Sequence, residues 1–362
     1  MITSRRNSLN FLRLVLAVLV IGGHAVTRGG HGLDDVFHKI TIGTLAVFGF
    51  FGLSGYLIAA SADHLSPGRY LWHRFLRIFP AFWVCLVVTA FVFGAIGWAH
   101  AGGRGLGPFL RATKGPIGYV TNNFWLRMTQ LQVAHTPVGV PFPLVWNGSL
   151  WSLFYEFICY LIAGALAVLG LLRRSWTVAA LAVAVWVAEA IICSVPSFNV
   201  DFTPFGYWDA LNLLTLVPVF LAGSLLYLYR DRVPDSGLLA LLSTGIFLLS
   251  LWMPLGSSLP SYSMTSASLM APALVYPLLW LGAHLPFQKI GARNDYSYGA
   301  YIYAFPVQQT LALWGVYRWG WVAYTVLSVI GTAPLAIASW WVVERPVMSL
   351  RQWTLRPAHA SS

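Results

Sequence analysis

An arginine and a histidine in one apolar stretch near the N-terminus could do chemistry together. Arg13 and His24 are eleven residues apart, so on a helix both project from nearly the same face, about 16 Å apart along the axis. A permanently charged guanidinium suits a phosphate or a carbonyl oxygen, and an imidazole suits proton abstraction from a hydroxyl. Each residue alone has an ordinary explanation, because Arg13 can extend to an aqueous surface and His24 can lie at an interface. The shared face favours a function for the pair.

A single acid lies in a second apolar stretch, in the sequence Trp151-Ser-Leu-Phe-Tyr-Glu156. A carboxylate in such surroundings needs a partner or must be neutral. We expect Glu156 at a depth similar to that of His24, where it would orient the imidazole and raise its basicity. A structural ion pair with an arginine is an equally good interpretation.

Two arginines stand one helical turn apart in a segment that we predict to be a loop, His73-Arg74-Phe-Leu-Arg77-Ile-Phe-Pro80. Arg74 and Arg77 could clamp one anion between them. On local sequence alone, the ordinary positive charge of an inner loop is the preferred explanation of the pair.

Three further places have a structural and a functional interpretation. Asp295, at the start of a late apolar stretch, could cap a helix N-terminus. Glu344 is followed by Arg345 and a proline, which is typical of a helix end with a local ion pair. Ser54 and Gly55 permit close helix approach, and they could also form the wall of a tunnel.

The composition indicates that these residues are positioned by a protein that lies in a membrane. Of 362 residues, 58% are hydrophobic and only 9% are charged, whereas soluble proteins have roughly 25% charged residues. The net charge of +11 would suggest nucleic acid in a soluble protein. Most of the basic residues lie between apolar stretches instead, so we predict a lipid bilayer as partner and no nucleic acid. The three cysteines lack metal-ligand spacing, and no metal site is predicted.

Apolar stretches of about 20 residues, enough to cross a bilayer as helices, recur along the whole chain. They cover residues 8–27, 40–60, 79–99, 149–170, 175–194, 209–229, 236–254, 265–284, 296–316 and 321–343. The prediction is an all-α polytopic membrane protein with about ten transmembrane helices. It comprises one transmembrane domain, residues 1–350, and a cytoplasmic tail, residues 351–362.

The distribution of Lys and Arg predicts the orientation. With the N-terminus inside, the inner loops hold more of these residues than the outer loops, which places both termini in the cytoplasm. The expected location is the bacterial cytoplasmic (inner) membrane, crossed many times. The segment 100–148 would then lie outside, and its many Gly, Pro and aromatic residues favour a lid or a glycan-facing surface.

These residues resemble the integral-membrane acyltransferases of type three, which O-acetylate lipopolysaccharide, peptidoglycan, exopolysaccharides, Nod factors and some macrolides. The resemblance runs from about Leu9 to Pro346, with six motifs in the family's order. The motifs are Arg13-x10-His24, Phe50-Phe-Gly-Leu-Ser54-Gly55-Tyr56, Arg74-x-x-Arg77-Ile-x-Pro80, Trp151-Ser-Leu-x-x-Glu156, Asp295-x-Ser297-Tyr298-x-x-Tyr301 and Glu344-x-Pro346.

The resemblance implies a donor inside and an acceptor outside. The donor would be acetyl-CoA or another acyl-CoA as co-substrate, and the acceptor a hydroxyl of a surface glycan or lipid-linked saccharide. His24 would be the catalytic base, braced by Glu156, and Arg13 would hold the thioester end of the donor. Arg74 and Arg77 would bind the CoA phosphates.

The remaining motif residues are expected to lie around the same site. Ser54 and Gly55 would border the donor, and the late motifs add the candidates Asp295, Ser297, Tyr298, Tyr301 and Glu344.

The chain departs from the family at two points. Many members have a histidine where this chain has Ala304, so a second-histidine role is not expected. No esterase-like domain follows the last stretch, which favours direct transfer to the acceptor. A polysaccharide or lipid transporter without covalent chemistry is the alternative, because charges inside membranes also line transport paths. Transporters often show two related halves with broken helices, and the sequence shows no such pairing.

Overall fold

The apolar stretches form long helices in the computed structural model, which describes residues 7–27, 29, 40–172, 174–194, 206–252 and 268–352. We number ten long helices of these residues in chain order. They are α1 Leu9–Thr27, α2 Ile42–His64, α3 Pro67–Val88, α4 Trp151–Val168, α5 Ser175–Ser194, α6 Gly206–Leu228, α7 Gly237–Trp252, α8 Ala271–His284, α9 Ser297–Leu313 and α10 Trp321–Ser339.

Each predicted stretch overlaps one of these helices. The described residues form no β-strand, and Val133 and Thr136 make an isolated bridge. Helices long and apolar enough to cross a membrane are Leu9–Thr27, Ile42–His64, Pro67–His100, Trp151–Val168, Ala210–Leu228 and Trp321–Gln352. The all-helical, polytopic membrane fold is thereby confirmed. The full number of crossings and the side of each terminus stay predictions, and residues 353–362 of the predicted tail lie outside the described residues.

The third helix begins much earlier than we predicted. The segment that we took for a loop, with Arg74 and Arg77, belongs to α3, which starts at Pro67 and continues through a π-helical turn, Thr89–Phe93, to His100. A proline at the first position of a helix has the required backbone angle and lacks only an N–H that would have no partner there. The prediction failed because charged residues lower the hydropathy of these turns without opposing helix formation.

The two ends of the helix bundle can be told apart by the contacts of α1. Near its start, the Ser8 N–H donates to the carbonyl of Gly282 at 2.7 Å, and the Asn10 side chain donates to the carbonyl of Gly291 at 2.8 Å. Near its other end, the Gln308 side chain donates to the carbonyl of Ile21 at 2.9 Å. We call these the Arg13 end and the His24 end.

Helices α2 and α6 pack at very short range through small residues. A Cβ atom on Gly55 would overlap the carbonyl oxygen of Phe220, and one on Gly223 would overlap that of Gly52. The Ser224 hydroxyl donates to the carbonyl of Gly55 at 3.1 Å. Gly55 therefore faces α6 and permits close helix approach, one of the two interpretations that its sequence allowed, while its role beside a donor stays a prediction.

The 100–148 segment includes two short helices, Leu106–Arg111 and Pro116–Asn123, and is fastened to α9. Pro306 has no N–H to offer the carbonyl of Ile302, four residues earlier. The Asn147 side chain donates to that carbonyl at 2.8 Å. Two helical turns after Ile302, the Gln309 side chain donates to the carbonyls of residues 142 and 145, both at 2.6 Å. The segment is thus ordered against the His24 end of α9.

Candidate active site

One aspartate joins three helices at the Arg13 end. The Oδ2 atom of Asp295 accepts hydrogen bonds from Nη1 of Arg13 at 3.1 Å and from Nη2 of Arg77 at 2.6 Å. Its Oδ1 atom accepts from the Ser297 hydroxyl at 2.5 Å and from the Ser297 N–H at 3.2 Å. The N-cap of α9 is Tyr296, so Asp295 lies one residue before the position that we expected, and from there it accepts the first N–H of the helix. It also binds α1 and α3 together.

The electrostatics of this cluster keep Asp295 ionised. Burial by itself raises the pKa of Asp295, but Arg77 and then Arg13 act in the opposite direction, and the hydrogen bonds from Ser297 add to them. The net result is a pKa well below the ordinary value of 3.8. The carboxylate is therefore charged throughout the physiological range.

Glu344 completes this charge cluster from the last long helix. It ends a π-helical turn, Trp340–Glu344, after which the helix continues to Ser349. Its Oε2 atom lies 3.5 Å from Nη1 of Arg77, and its Oε1 atom accepts from the Ser339 hydroxyl at 2.9 Å.

The predicted helix end with a local ion pair is therefore wrong for Glu344. The guanidinium of Arg345 lies over the Trp341 ring at 4.3 Å, on an exposed face. A π-turn adds one residue to the turn and so changes the face on which the following side chains lie. Local spacing could not show that Glu344 turns toward Arg77.

The two arginines of α3 have different surroundings. Arg77 is paired with two carboxylates, as described. Arg74 lies near aromatic faces instead, with its guanidinium 5.9 Å from the Tyr70 ring centre and 5.8 Å from that of Tyr160. Its buried Nε has no hydrogen-bond partner among the described residues, and within the same residues it has no carboxylate at ion-pair distance. Arg74 thus retains its full charge for a ligand.

A cavity of about 210 Å³, which we call the wide cavity, lies beside these arginines. Its walls are formed by Arg13, Ser54, Leu57, Ile58, Arg74, Arg77, Tyr160, Asp295, Trp340, Met348 and Arg351. Four arginines thus face one space together with one aspartate. Such a surplus of guanidinium groups is suited to a phosphate-bearing ligand.

A second cavity of about 30 Å³, which we call the narrow cavity, follows toward the His24 end. Its walls are formed by Arg13, Val47, Phe50, Phe51, Ser152, Leu153, Glu156, Ser297, Tyr298 and Tyr301. Arg13 borders both cavities, and α2 and α4 each contribute one turn to the wide cavity and another to the narrow one. Asp295, just before α9, borders the wide cavity, and the first turns of α9 border the narrow one. The two cavities therefore lie in series along the bundle.

Aromatic side chains constrict the narrow cavity and are fixed by hydrogen bonds. The Phe50 and Tyr301 rings meet edge to face with their centres 5.8 Å apart. The Tyr301 hydroxyl donates to the carbonyl of Ser149 at 2.7 Å and lies 2.5 Å from the Ser152 hydroxyl. The Tyr298 hydroxyl donates to the carbonyl of residue 78 at 2.8 Å. These contacts give the cavity a rigid wall.

Glu156 borders the narrow cavity, but its partners differ from the one we expected. Its Oε1 atom accepts from the Ser54 hydroxyl at 2.9 Å and from the Tyr160 hydroxyl at 2.5 Å. In the described part of the chain, its carboxylate thus binds these two hydroxyls and not the ring of His24. Tyr160 lies one turn after Glu156 on α4, so the i, i+4 spacing could have indicated it.

His24 lies beyond the narrow cavity, half-buried, with its ring edge to face with that of Phe305 at 5.1 Å. Phe305 follows Tyr301 by one turn of α9. From Asp295 to Phe305 the chain rises by about 15 Å, close to the separation predicted for Arg13 and His24. The geometry thus places a charged region on one side of the narrow cavity and an imidazole on the other.

Comparison with known proteins points to one family. A sequence model described as an acyltransferase domain matches residues 6–341. The O-acetyl transferase of Shigella phage Sf6 is 27% identical over 353 residues, which cover 94% of this chain and 96% of the relative. Nodulation protein 10 of Rhizobium leguminosarum bv. viciae is 29% identical over 373 residues, covering 96% of this chain and 95% of the relative. No solved structure matches the chain significantly.

Proposed function

Because this chain belongs to the acyltransferase family and is an enzyme that transfers acyl groups, we propose that it O-acetylates a glycan or glycolipid hydroxyl, with acetyl-CoA as the donor. The donor enters from the cytoplasm at the Arg13 end, and the acceptor is bound outside at the His24 end. The enzyme acts in the bacterial inner membrane. The O-acetyl transferase named among the relatives supports an oxygen acceptor.

The observation that carries this proposal is the series of wide cavity, narrow cavity and His24 along the bundle. A thioester donor has a highly charged nucleotide end and a slim, uncharged arm. The arginine-rich wide cavity suits the first and the aromatic narrow cavity suits the second. A donor bound in this way would deliver its acyl group toward His24.

Arg74 and Arg77 would have different roles in donor binding, although their spacing predicts that both bind one anion. Arg77 is paired with Asp295 and Glu344, so we propose that it stabilises the cavity wall. Arg74 binds a donor phosphate. Arg13 lies at the junction of the cavities with its guanidinium held by Asp295. There it would contact the entering arm, because the thioester must lie farther along, near His24.

The transfer itself needs one general base and forms no covalent acyl-enzyme intermediate. The unprotonated nitrogen of His24 takes the proton of the acceptor hydroxyl as that oxygen attacks the thioester carbon. The tetrahedral intermediate then expels the CoA thiolate, which takes the proton from the imidazolium. The products are an O-acetyl ester and free CoA. Glu156, held by Ser54 and Tyr160, would fix the cavity wall beside the arm.

The test uses labelled acetyl-CoA and inside-out membrane vesicles from the source bacterium. The wild-type protein should transfer label to a glycan or lipid fraction, and right-side-out vesicles should not react. His24→Ala removes the base, and we expect label transfer to fall by about a hundredfold or more. His100→Ala, an exposed histidine on α3's extension, is the matched control and should keep full activity. Normal transfer by the His24 variant at wild-type expression would contradict the assignment.

A further inference from the structure

We propose that Arg351, which follows the last helix, binds the pyrophosphate of the donor together with Arg74. This inference rests on the proposed function and assigns a residue that no motif in the sequence marked. Arg351 lies in a 3-10 turn, Leu350–Gln352, that ends the described chain. It borders the wide cavity with Arg74 and Arg77.

The turn that carries Arg351 is fastened to α3 directly beside Arg74. The Trp72 indole donates from Nε1 to the carbonyl of Leu350 at 3.2 Å, and Nε2 of His73 lies 3.3 Å from the carbonyl of Arg351. Two consecutive residues before Arg74 thus hold two consecutive residues of the turn. Arg74 and Arg351 are therefore kept close together although they lie far apart in the sequence.

The charges around the wide cavity leave these two arginines without a carboxylate at ion-pair distance among the described residues, although Glu156 acts on Arg74 from a longer distance. Arg13 and Arg77 share Asp295, and Arg77 also faces Glu344. Arg351, like Arg74, has no carboxylate at ion-pair distance within the described residues, and its Nε is likewise buried without a hydrogen-bond partner there.

These free charges lie near one another, which costs energy in the empty cavity. Arg351 lies close enough to Arg74 and Arg77 for their charges to repel it. Like charges brought together in a partly buried space call for an anion of comparable charge. The geometry thus favours an anionic ligand between Arg74 and Arg351.

The size of the cavity identifies which part of the donor fits. Its volume of about 210 Å³ is below the roughly 300–1,000 Å³ of pockets that enclose a whole drug-sized ligand. It therefore holds only a portion of a CoA molecule. The arm must continue into the narrow cavity, so the group next to the arm, the pyrophosphate, occupies the wide cavity. The adenosine and its 3′-phosphate then lie outside the wide cavity and do not contact Arg74 or Arg351.

Binding to the purified full-length protein in detergent tests this assignment without any acceptor. The probes are CoA, dephospho-CoA, which keeps the pyrophosphate but lacks the 3′-phosphate, and pantetheine, which has no phosphate. We expect Arg351→Gln to weaken binding of CoA and dephospho-CoA by the same factor, about tenfold to a hundredfold, as for loss of a charged hydrogen bond. Pantetheine should bind the variant and the wild type alike.

Two further variants control for charge and folding. Arg345→Gln removes an arginine from the same end of the chain that lies over Trp341, away from the cavity walls, and should bind all probes normally. Arg351→Lys keeps the charge but not the forked donors and should recover part of the affinity. A monodisperse gel-filtration profile confirms that each variant is folded.

Each other outcome has a definite meaning. If Arg351→Gln binds CoA as the wild type does, the inference is wrong while the proposed function stands. If the variant loses affinity for CoA but not for dephospho-CoA, Arg351 contacts the 3′-phosphate and the pyrophosphate assignment is wrong. If the wild type binds none of the three probes, the proposed donor is itself wrong, and this inference falls with it.

Discussion

Asp295→Asn tests whether one carboxylate holds three helices together. The change keeps the shape of the side chain but removes the charge that faces Arg13 and Arg77. Removing one partner of a buried ion pair costs about 3–5 kcal/mol. Arg77 would keep Glu344 at 3.5 Å, and the Arg13 side chain is 19% exposed, so water and Glu344 offset part of the loss. We therefore expect about 3 kcal/mol, at the lower end of that range.

The assay is a melting curve in mild detergent, in which the protein remaining soluble after heating is measured by gel filtration. For a chain of this size, about 3 kcal/mol corresponds to a fall of about 6 °C at about 2 °C per kcal/mol. Asp235→Asn is the matched control, since its carboxylate is 40% exposed and pairs with His284 at 3.4 Å. Exposed pairs contribute about 0–1 kcal/mol, so the control should melt within about 2 °C of the wild type.

A double variant and a pH series distinguish the loss of charge pairing from a non-specific loss of stability. Adding Arg13→Gln to Asp295→Asn removes one uncompensated cation and should restore part of the melting temperature. Because the pKa of Asp295 is lowered on folding, its stabilisation is complete well above pH 3.8 and is lost as the pH falls below that value. The variant should therefore lose less stability than the wild type between about pH 5 and pH 3. An unchanged melting temperature, or equal acid sensitivity of both proteins, would refute the reasoning.

Two other variants test the packing around the site. Gly55→Ala would place a Cβ against the carbonyl of Phe220 and should lower the free energy of unfolding by about 1–3 kcal/mol. The control Gly245→Ala, with no atom within 4 Å of the added Cβ, should melt no lower than the wild type. Equal melting temperatures for the two variants would exclude the close contact. Gln309→Leu removes the donor that binds two carbonyls of the 100–148 segment. Loss of about 1.4 kcal/mol of hydrogen bonding should speed proteolysis of this segment about tenfold. The control Gln288→Leu, at an exposed position, should leave the rate unchanged, and equal cleavage rates for both variants would mean that other contacts hold the segment.

The helices were predictable from the sequence because each is specified locally. A stretch of apolar residues long enough to cross a bilayer determines a helix whatever its neighbours are. The eleven-residue spacing of Arg13 and His24 likewise fixes their common face on α1. The start of α3 was not predictable from hydropathy, since Arg74 and Arg77 interrupt the apolar pattern without interrupting the helix.

The partners of the charged residues were beyond local reasoning. Asp295 meets Arg13 across 282 residues and Arg77 across 218 residues of sequence. Its hydrogen bond with the N–H of Ser297, in contrast, is local, although the N-cap of α9 is Tyr296 and not Asp295. Glu156 meets Ser54 across 102 residues, so neither alternative considered for it, a histidine or an arginine partner, anticipated a hydroxyl. Long-range pairing depends on how the helices pack, which one sequence does not specify.

The proline in α9 has a mechanical consequence. Pro306 leaves the carbonyl of Ile302 to be bound by Asn147, so the helix is tied to the 100–148 segment at the point where it would otherwise bend most easily. The first turns of the same helix border the narrow cavity, and Phe305 contacts His24. Both sets of contacts thus lie on one helix. A displacement of the turns that border the narrow cavity is therefore expected to move the attached 100–148 segment as well.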